Sequence, residues 1–168
     1  MDLSRLNRGR VALGAVGSIL LVVSVLFLPW YSLDENPQRL EGPDFNPDAF
    51  ICGSGEFECT GFETFPILRW LLLLAALAPP ILAWIIARGH KLSYPTGEMT
   101  MIAGFTAAVL IAYNGIIDRP GSNIAESGVS LDWGYWVALV GALLIAGVGY
   151  ARSLESGARA RRKAPGTV

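Results

Sequence analysis

The sequence predicts an all-α membrane protein that folds as a four-transmembrane-helix bundle with a disulfide-containing outer loop. Hydrophobic residues make up 52% of the 168-residue chain and charged residues only 16%, whereas a soluble domain usually carries about 25% charged residues. The hydrophobic residues are concentrated in four blocks, and most basic residues flank those blocks on one side. These observations indicate a membrane domain over about residues 11–150 rather than a soluble core.

The four apolar blocks are the predicted membrane spans. They cover about residues 11–30, 67–87, 99–117 and 133–150. Each has roughly the 20 residues that a helix needs to cross ~30 Å of hydrocarbon, and the alternative, a buried helix of a soluble protein, seldom exceeds about 14 residues without a charge. The third and fourth blocks contain no charged residue, so the pattern favours membrane spans.

The first block could also be a cleaved signal peptide, because Arg5, Arg8 and Arg10 precede it. However, its apolar run is longer than the apolar region of such a peptide, and it ends in bulky residues between Leu28 and Tyr31, where a peptidase requires small ones. We therefore expect a retained anchor.

The distribution of basic residues predicts the orientation of the chain. Of 13 basic residues, ten lie before the first block, between the second and third, or after the fourth: Arg5, Arg8, Arg10, Arg88, Lys91, Arg152, Arg159, Arg161, Arg162 and Lys163. The charged residues of segments 31–66 and 118–132 are mainly acidic, and these segments are the predicted outer loops. Because Lys and Arg in short flanking segments resist translocation, we expect residues 1–10 and the basic tail 151–168 in the cytoplasm of a multi-pass cell-membrane protein.

The two cysteines, Cys52 and Cys59, both lie in the first outer loop. Thiols outside the cytoplasm oxidise and stay paired, so we expect a structural disulfide between them. Residues 53–55 are Gly-Ser-Gly and can reverse the chain, and the residues flanking the two cysteines, 50–51 and 57, have strand character that predicts a disulfide-pinned hairpin. A redox-active pair is the alternative.

No catalytic, cofactor-binding or metal-binding residue is predicted. The single histidine, His90, lies on the predicted cytoplasmic side, so the spacing assembles neither a metal-ligand cluster nor a His-dependent triad. The tail run from Arg159 to Lys163 is expected to act as an orientation signal, with contact to anionic lipid headgroups as the alternative. Nucleic acid is not an expected partner.

Small residues predict how the helices pack, because helices in lipid associate through close backbone approach. The fourth block carries a helix-packing stripe at four-residue spacing: Gly134, Ala138, Ala142 and Ala146. Similar stripes occur in the second and third blocks: Ala75, Pro79, Ala83 and Ala87, and Gly104, Ala108 and Ala112. Adjacent Pro79 and Pro80 are expected to kink the second helix, mainly as a matter of shape.

Few polar residues fall within the spans. Arg69, Glu98 and Asn114 are the candidate intramembrane polar contacts, and Asn114 could bind Arg69 or cap a neighbouring helix. Ionisable groups in spans often mark transport pathways, but Arg69 and Glu98 lie close enough to an interface to reach water. Aromatic residues are expected to ring the outer boundary: Trp30, Tyr31, Trp70, Trp133, Tyr135 and Trp136.

Four runs of the chain form a recognisable pattern: Met1 to Leu6, Phe27 to Tyr31, Phe62 to Phe65 leading into the second block, and Gly134-Tyr-Trp opening the fourth. In this pattern the chain resembles a group of uncharacterised small four-span membrane proteins of high-GC Gram-positive bacteria. The likeness covers nearly the whole chain and implies a four-span fold. It implies no activity, cofactor or substrate.

The layout is also similar to that of claudin-like four-span proteins, which have a long first outer segment with a disulfide and a short second one. Trp30 and the Cys52 and Cys59 pair fit that plan, but the Gly-Leu-Trp of that family is missing before the first cysteine and the cysteines stand closer together. Quinone-linked four-span thiol oxidoreductases need a C-x-x-C pair and relay cysteines, which two cysteines at this spacing do not provide.

Three classes of function remain open. The favoured one is a non-catalytic role in protein association or envelope organisation through the outer loop and helix packing. A small transporter or channel subunit would require Arg69, Glu98 and Asn114 to line a common cavity, and a membrane enzyme would require convergent polar groups beneath the outer loop. The expected partners are membrane lipids and either another membrane protein or a second copy of the chain.

Overall fold

The computed structural model describes residues 8–33, 58–88, 96–117 and 129–162, with side chains placed for residues 9–32, 58–88, 97–117 and 129–155. The helices in this part of the chain are α1 (Arg8–Phe27), α2 (Gly61–Thr64), α3 (Leu68–Ala87), α4 (Thr96–Ala112) and α5 (Trp133–Arg162). Four of them, all but the short α2, are long and apolar enough to cross a membrane, with α4 continued to Ile117 by a π-helical turn. The prediction of four such helices is confirmed.

The four long helices form a ring in which each packs against two neighbours. α5 has the most extensive contacts, first with α4 and then with α1, and α3 closes the ring between α1 and α4. α1 and α5 are antiparallel, since Gly14 near the start of α1 faces Val148 near the end of α5. Arg10 forms an ion pair with Glu155 at the same end of the bundle. We call this end, where α1 starts and α5 finishes, the basic end.

A three-stranded antiparallel sheet lies at the opposite end, which we call the sheet end. Its strands are β1 (Pro29–Leu33), β2 (Glu58–Thr60) and β3 (Val129–Leu131), in the order β2-β1-β3. Tyr31 of β1 lies opposite Cys59 of β2 and Leu131 of β3. The sheet therefore joins the segment after α1 to the segments before α2 and before α5.

The predicted outer loop over residues 118–132 contains a strand near its end, because Val129–Leu131 is β3. Three residues give too short a pattern to indicate a strand, and β3 forms because β1 supplies its hydrogen-bonding partner. The hairpin predicted around residues 50–57, together with Cys52, lies outside the described residues. The strand that contains Cys59 pairs with β1.

Two helix ends differ from the predicted spans. α1 ends at Phe27, three residues before Trp30, because Pro29 disfavours helical geometry at Leu28 and the chain then enters β1. α5 continues to Arg162, so the backbone is helical through most of the predicted tail. α3 runs from Leu68 to Ala87 with both prolines inside it, and the kink predicted there stays a prediction.

Small residues lie where the helices approach most closely. Gly134, Ala138 and Ala142 of the predicted α5 stripe are buried, and Ala146 is half-buried. On α4, a Cβ added to Gly104 would lie 2.3 Å from the backbone nitrogen of Ala146 and 2.9 Å from the carbonyl oxygen of Ala142. Two backbones in such contact leave no room for a larger side chain.

Candidate functional site at the sheet end

Trp30 lies at the junction between the sheet and the bundle. It belongs to β1, and its side chain is 0% exposed. The indole Nε1 donates hydrogen bonds to the carbonyl oxygen of Ser24 at 3.1 Å and to its Oγ at 2.9 Å. A buried indole N–H needs such an acceptor, so these bonds fix β1 relative to the last turn of α1.

Ser24 extends this connection to α5. Its buried hydroxyl donates to the carbonyl oxygen of Gly134 at 2.5 Å, and the backbone N–H of Asp132 donates to the carbonyl oxygen of Trp30 at 2.8 Å. A Cβ on Gly134 would lie 2.3 Å from the carbonyl oxygen of Pro29. Glycine is therefore required where α5 meets the start of β1.

Aromatic side chains surround Trp30. Phe65 and Tyr135 contact it edge-on with ring centroids 6.2 and 6.0 Å away, and Tyr31 meets Phe65 at 6.0 Å. We call Trp30, Tyr31, Phe65 and Tyr135 the Trp30 cluster. Gly61 of α2 lies against the indole, because a Cβ there would be 2.6 Å from its Cε2 atom. Edge-to-face pairs add about 0.5–1.5 kcal/mol each beyond area burial, so the cluster holds the sheet on the bundle.

A π-helical turn, Tyr113–Ile117, ends α4 beneath the sheet. Such a turn widens the helix and changes its hydrogen bonding, and here the carbonyl oxygen of Asn114 accepts a bond from the Tyr31 hydroxyl at 3.2 Å. A Cβ on Gly115 would lie 2.1 Å from the Tyr135 ring. The π-turn thus connects α4 to the Trp30 cluster.

The structure places Asn114 and Arg69 in separate contacts. The Asn114 side-chain amide donates to the carbonyl oxygen of Leu110 in its own helix at 2.8 Å. Arg69 Nη1 donates to the carbonyl oxygen of Phe62 at 3.1 Å, and the guanidinium lies 4.4 Å from the centre of the Phe62 ring. The Asn114 amide is therefore hydrogen-bonded within its own helix, and Arg69 is held by the α2 segment.

Glu98 lies at the other end of the molecule. It is exposed in the first turn of α4, about 24 Å along the helix from Asn114 at 1.5 Å rise per residue. A groove of about 320 Å³ between α3 and α4 is lined by Leu71, Leu74, Ala75, Ala103, Thr106, Ala107 and Leu110. None of the three predicted polar residues lines it, so they do not share this cavity.

Trp30, Tyr31 and Tyr135 lie at the sheet end, where the aromatic boundary ring is predicted, but their side chains are buried inside the protein. Trp133 and Trp136 are exposed as that ring requires. Trp133 and Trp136 lie before and after Tyr135 in α5, and successive helical residues point about 100° apart. This spacing could have indicated that the buried tyrosine and the exposed tryptophans lie on different faces of the helix. The role of Ser24 had no sequence signal.

Within the described residues, no group of three or more His, Cys, Asp or Glu side chains could hold a metal ion. Comparisons with family models, curated proteins and solved structures find no match for the chain. The candidate site is the three-stranded sheet that the Trp30 cluster joins to the helical bundle.

Proposed function

We propose that the chain is a non-catalytic, multi-pass protein of the cell membrane that associates with another membrane or envelope protein through its sheet end. One observation carries this proposal: strands from three segments far apart in the sequence form one sheet, and side-chain hydrogen bonds connect that sheet to the bundle. The Trp30 indole bonds Ser24 of α1, the Ser24 hydroxyl bonds Gly134 of α5, and the Tyr31 hydroxyl bonds Asn114 in the π-turn that ends α4. Rigid placement lowers the entropy cost of ordering a surface on binding. A preorganised surface suits protein association.

The orientation is proposed from charge. Arg10, Arg88 and Arg152 lie at the basic end, and the sequence adds a basic run after residue 158. Positive charge in short flanking segments favours the cytoplasmic side. The basic end with both termini then faces the cytoplasm, and the sheet end faces outward.

The Cys52 and Cys59 disulfide remains part of the proposal. Its support is that Cys52 lies in the segment before β2, and that Cys59 lies within β2, fully buried beside β1. A covalent ring of this size would limit the conformations of the segment preceding β2 and so help to fix the outer surface.

Transport is not the function we propose. It required Arg69, Glu98 and Asn114 to line one cavity, and they lie at two ends of the bundle in separate contacts. The groove between α3 and α4 is apolar apart from Thr106, and a pathway for ions or polar solutes needs more polar groups than this.

Site-specific photo-crosslinking in cells tests the proposal. A photoreactive residue would replace exposed Ser130 of β3 or exposed Glu58 of β2, with exposed Leu143 in mid-α5 as the control position. We expect the same discrete protein adduct from both sheet positions and not from Leu143. The adduct should disappear when Trp30→Ala loosens the sheet. Adducts from Leu143 alone, or sheet adducts unaffected by Trp30→Ala, would contradict the proposal.

A further inference from the structure

The guanidinium of Arg69 is held in place without a counter-charge from the residues that the structure describes. Nη1 bonds the carbonyl oxygen of Phe62, and Phe62 and Trp70 rings lie 4.4 and 5.6 Å from the guanidinium carbon. Within the described part of the chain, no carboxylate forms a salt bridge with Arg69, and its Nε is buried without a hydrogen-bond partner. The orientation of the group is fixed while its charge remains unneutralised.

Arg69 also occupies a helix position that disfavours a cation. It lies in the first turn of α3, whose N-cap residue Ile67 makes no side-chain capping bond. The helix dipole is positive there and favours anions. The positive end of the helix dipole and the guanidinium both favour an anion near the start of α3.

The surroundings of Arg69 indicate where that negative charge comes from. Ile67 is 75% exposed, and Trp70, Leu71 and Leu74 on the following turns are exposed large apolar residues. Exposed tryptophans at the end of a span are typical of the headgroup level of a bilayer. An arginine at this level meets lipid phosphates, whose oxygens suit the planar guanidinium fork.

We propose that Arg69 binds the phosphate of a phospholipid headgroup at the sheet end of the bundle. Nη2 and the second N–H of Nη1 donate to the phosphate oxygens, while the lipid chains lie along the apolar surface of α3. The Phe62 carbonyl and the two rings keep the guanidinium oriented, so binding orders few additional atoms. This inference rests on the proposed membrane insertion and is independent of the protein partner.

Native mass spectrometry of the full chain in a neutral detergent tests the inference. The protein would be titrated with phosphatidylglycerol, with diacylglycerol of the same chains, and with inorganic phosphate. We expect phosphatidylglycerol to bind, diacylglycerol to bind at least tenfold more weakly, and millimolar inorganic phosphate not to displace the lipid. Equal binding of diacylglycerol would overturn the role of the phosphate, and displacement by inorganic phosphate would overturn the lipid as its source.

Arg69→Gln should weaken the first phosphatidylglycerol binding step about tenfold or more, the size expected for losing a charge-assisted contact. Arg88→Gln is the matched control, because Arg88 also lies over a tryptophan, 4.2 Å from the Trp84 ring, but caps the C-terminal end of α3, where the helix dipole is negative and disfavours a phosphate. Arg88→Gln should change the affinity of the first phosphatidylglycerol binding step by no more than about twofold. Arg69→Lys keeps the charge, so its affinity for phosphatidylglycerol should lie between those of the wild type and Arg69→Gln.

Wild-type affinity in Arg69→Gln would overturn the inference. If that variant does not fold, Arg69→Lys and the three wild-type titrations decide the matter, and wild-type affinity in Arg69→Lys would then overturn the fork-to-phosphate contact. A failure of the protein-association proposal in crosslinking would leave these lipid affinities unchanged, so the two outcomes are distinguishable.

Discussion

Replacing Gly104 of α4 with alanine should separate α4 from α5. The added Cβ would lie 2.3 Å from the Ala146 nitrogen and 2.9 Å from both the Ala146 Cα and the Ala142 carbonyl oxygen. All three are backbone atoms that cannot rotate away, and ordinary contact for a Cβ begins at 3.4 Å. The helices must therefore move apart by about 1 Å at their most extensive interface.

The size of the effect can be isolated with Gly147→Ala on α5. A Cβ on Gly147 meets nothing within 4 Å, so this change gives only the helix-propensity gain of up to about 1 kcal/mol. Gly104→Ala has the same gain plus the cost of overpacking, about 1–3 kcal/mol. Because the gain cancels between the variants, their difference in unfolding free energy should equal the overpacking cost.

Reversible unfolding in mixed micelles, followed by circular dichroism, measures that difference. We expect Gly147→Ala to match or exceed the wild type and Gly104→Ala to be less stable than Gly147→Ala by about 1–3 kcal/mol. Equal stability of the two alanine variants would show that α4 and α5 do not meet as closely as the structure places them.

Three other predictions concern the sheet, the α5 stripe and the cysteines. Trp30→Phe removes both indole hydrogen bonds and should lower the free energy of unfolding by about 1–3 kcal/mol while leaving the helices inserted. Unfolding experiments and the protease resistance of the sheet end measure this effect, and unchanged resistance would contradict the role of Trp30. Ala142→Leu at a fully buried position should lower thermal stability in detergent and Val140→Leu at an exposed one should not, so equal melting temperatures would refute the packing account. Thiol labelling of denatured, unreduced protein should find no free cysteine, and two reactive thiols would eliminate the Cys52 and Cys59 pair.

The long helices could be predicted from the sequence because each is a local, continuous apolar run. Met99 to Ile117 and Trp133 to Tyr150 contain no charge, and length alone then indicates a span. The residues at which the helices end were less predictable from the sequence. α1 stops at Phe27 because Pro29 begins a strand.

The sheet and the Trp30 cluster could not be predicted in the same way, because they depend on contacts between distant parts of the chain. Ser32 and Ser130 are 98 residues apart, yet their hydroxyls lie 2.7 Å from each other across β1 and β3. The burial of Trp30 depends on Gly61, Phe65 and Tyr135 arriving from other elements. A single sequence carries no local pattern for such contacts.

The outward orientation of the sheet end is the central claim, and cysteine accessibility in intact cells tests it most directly. Ser130→Cys at the sheet end and Leu154→Cys at the basic end both place a thiol at an exposed position. A membrane-impermeant maleimide should label Ser130→Cys in intact cells above the wild-type background, and should label Leu154→Cys only after the membrane is permeabilised. Labelling of Leu154→Cys in intact cells, with Ser130→Cys protected until permeabilisation, would contradict the orientation and the proposed outer surface with it.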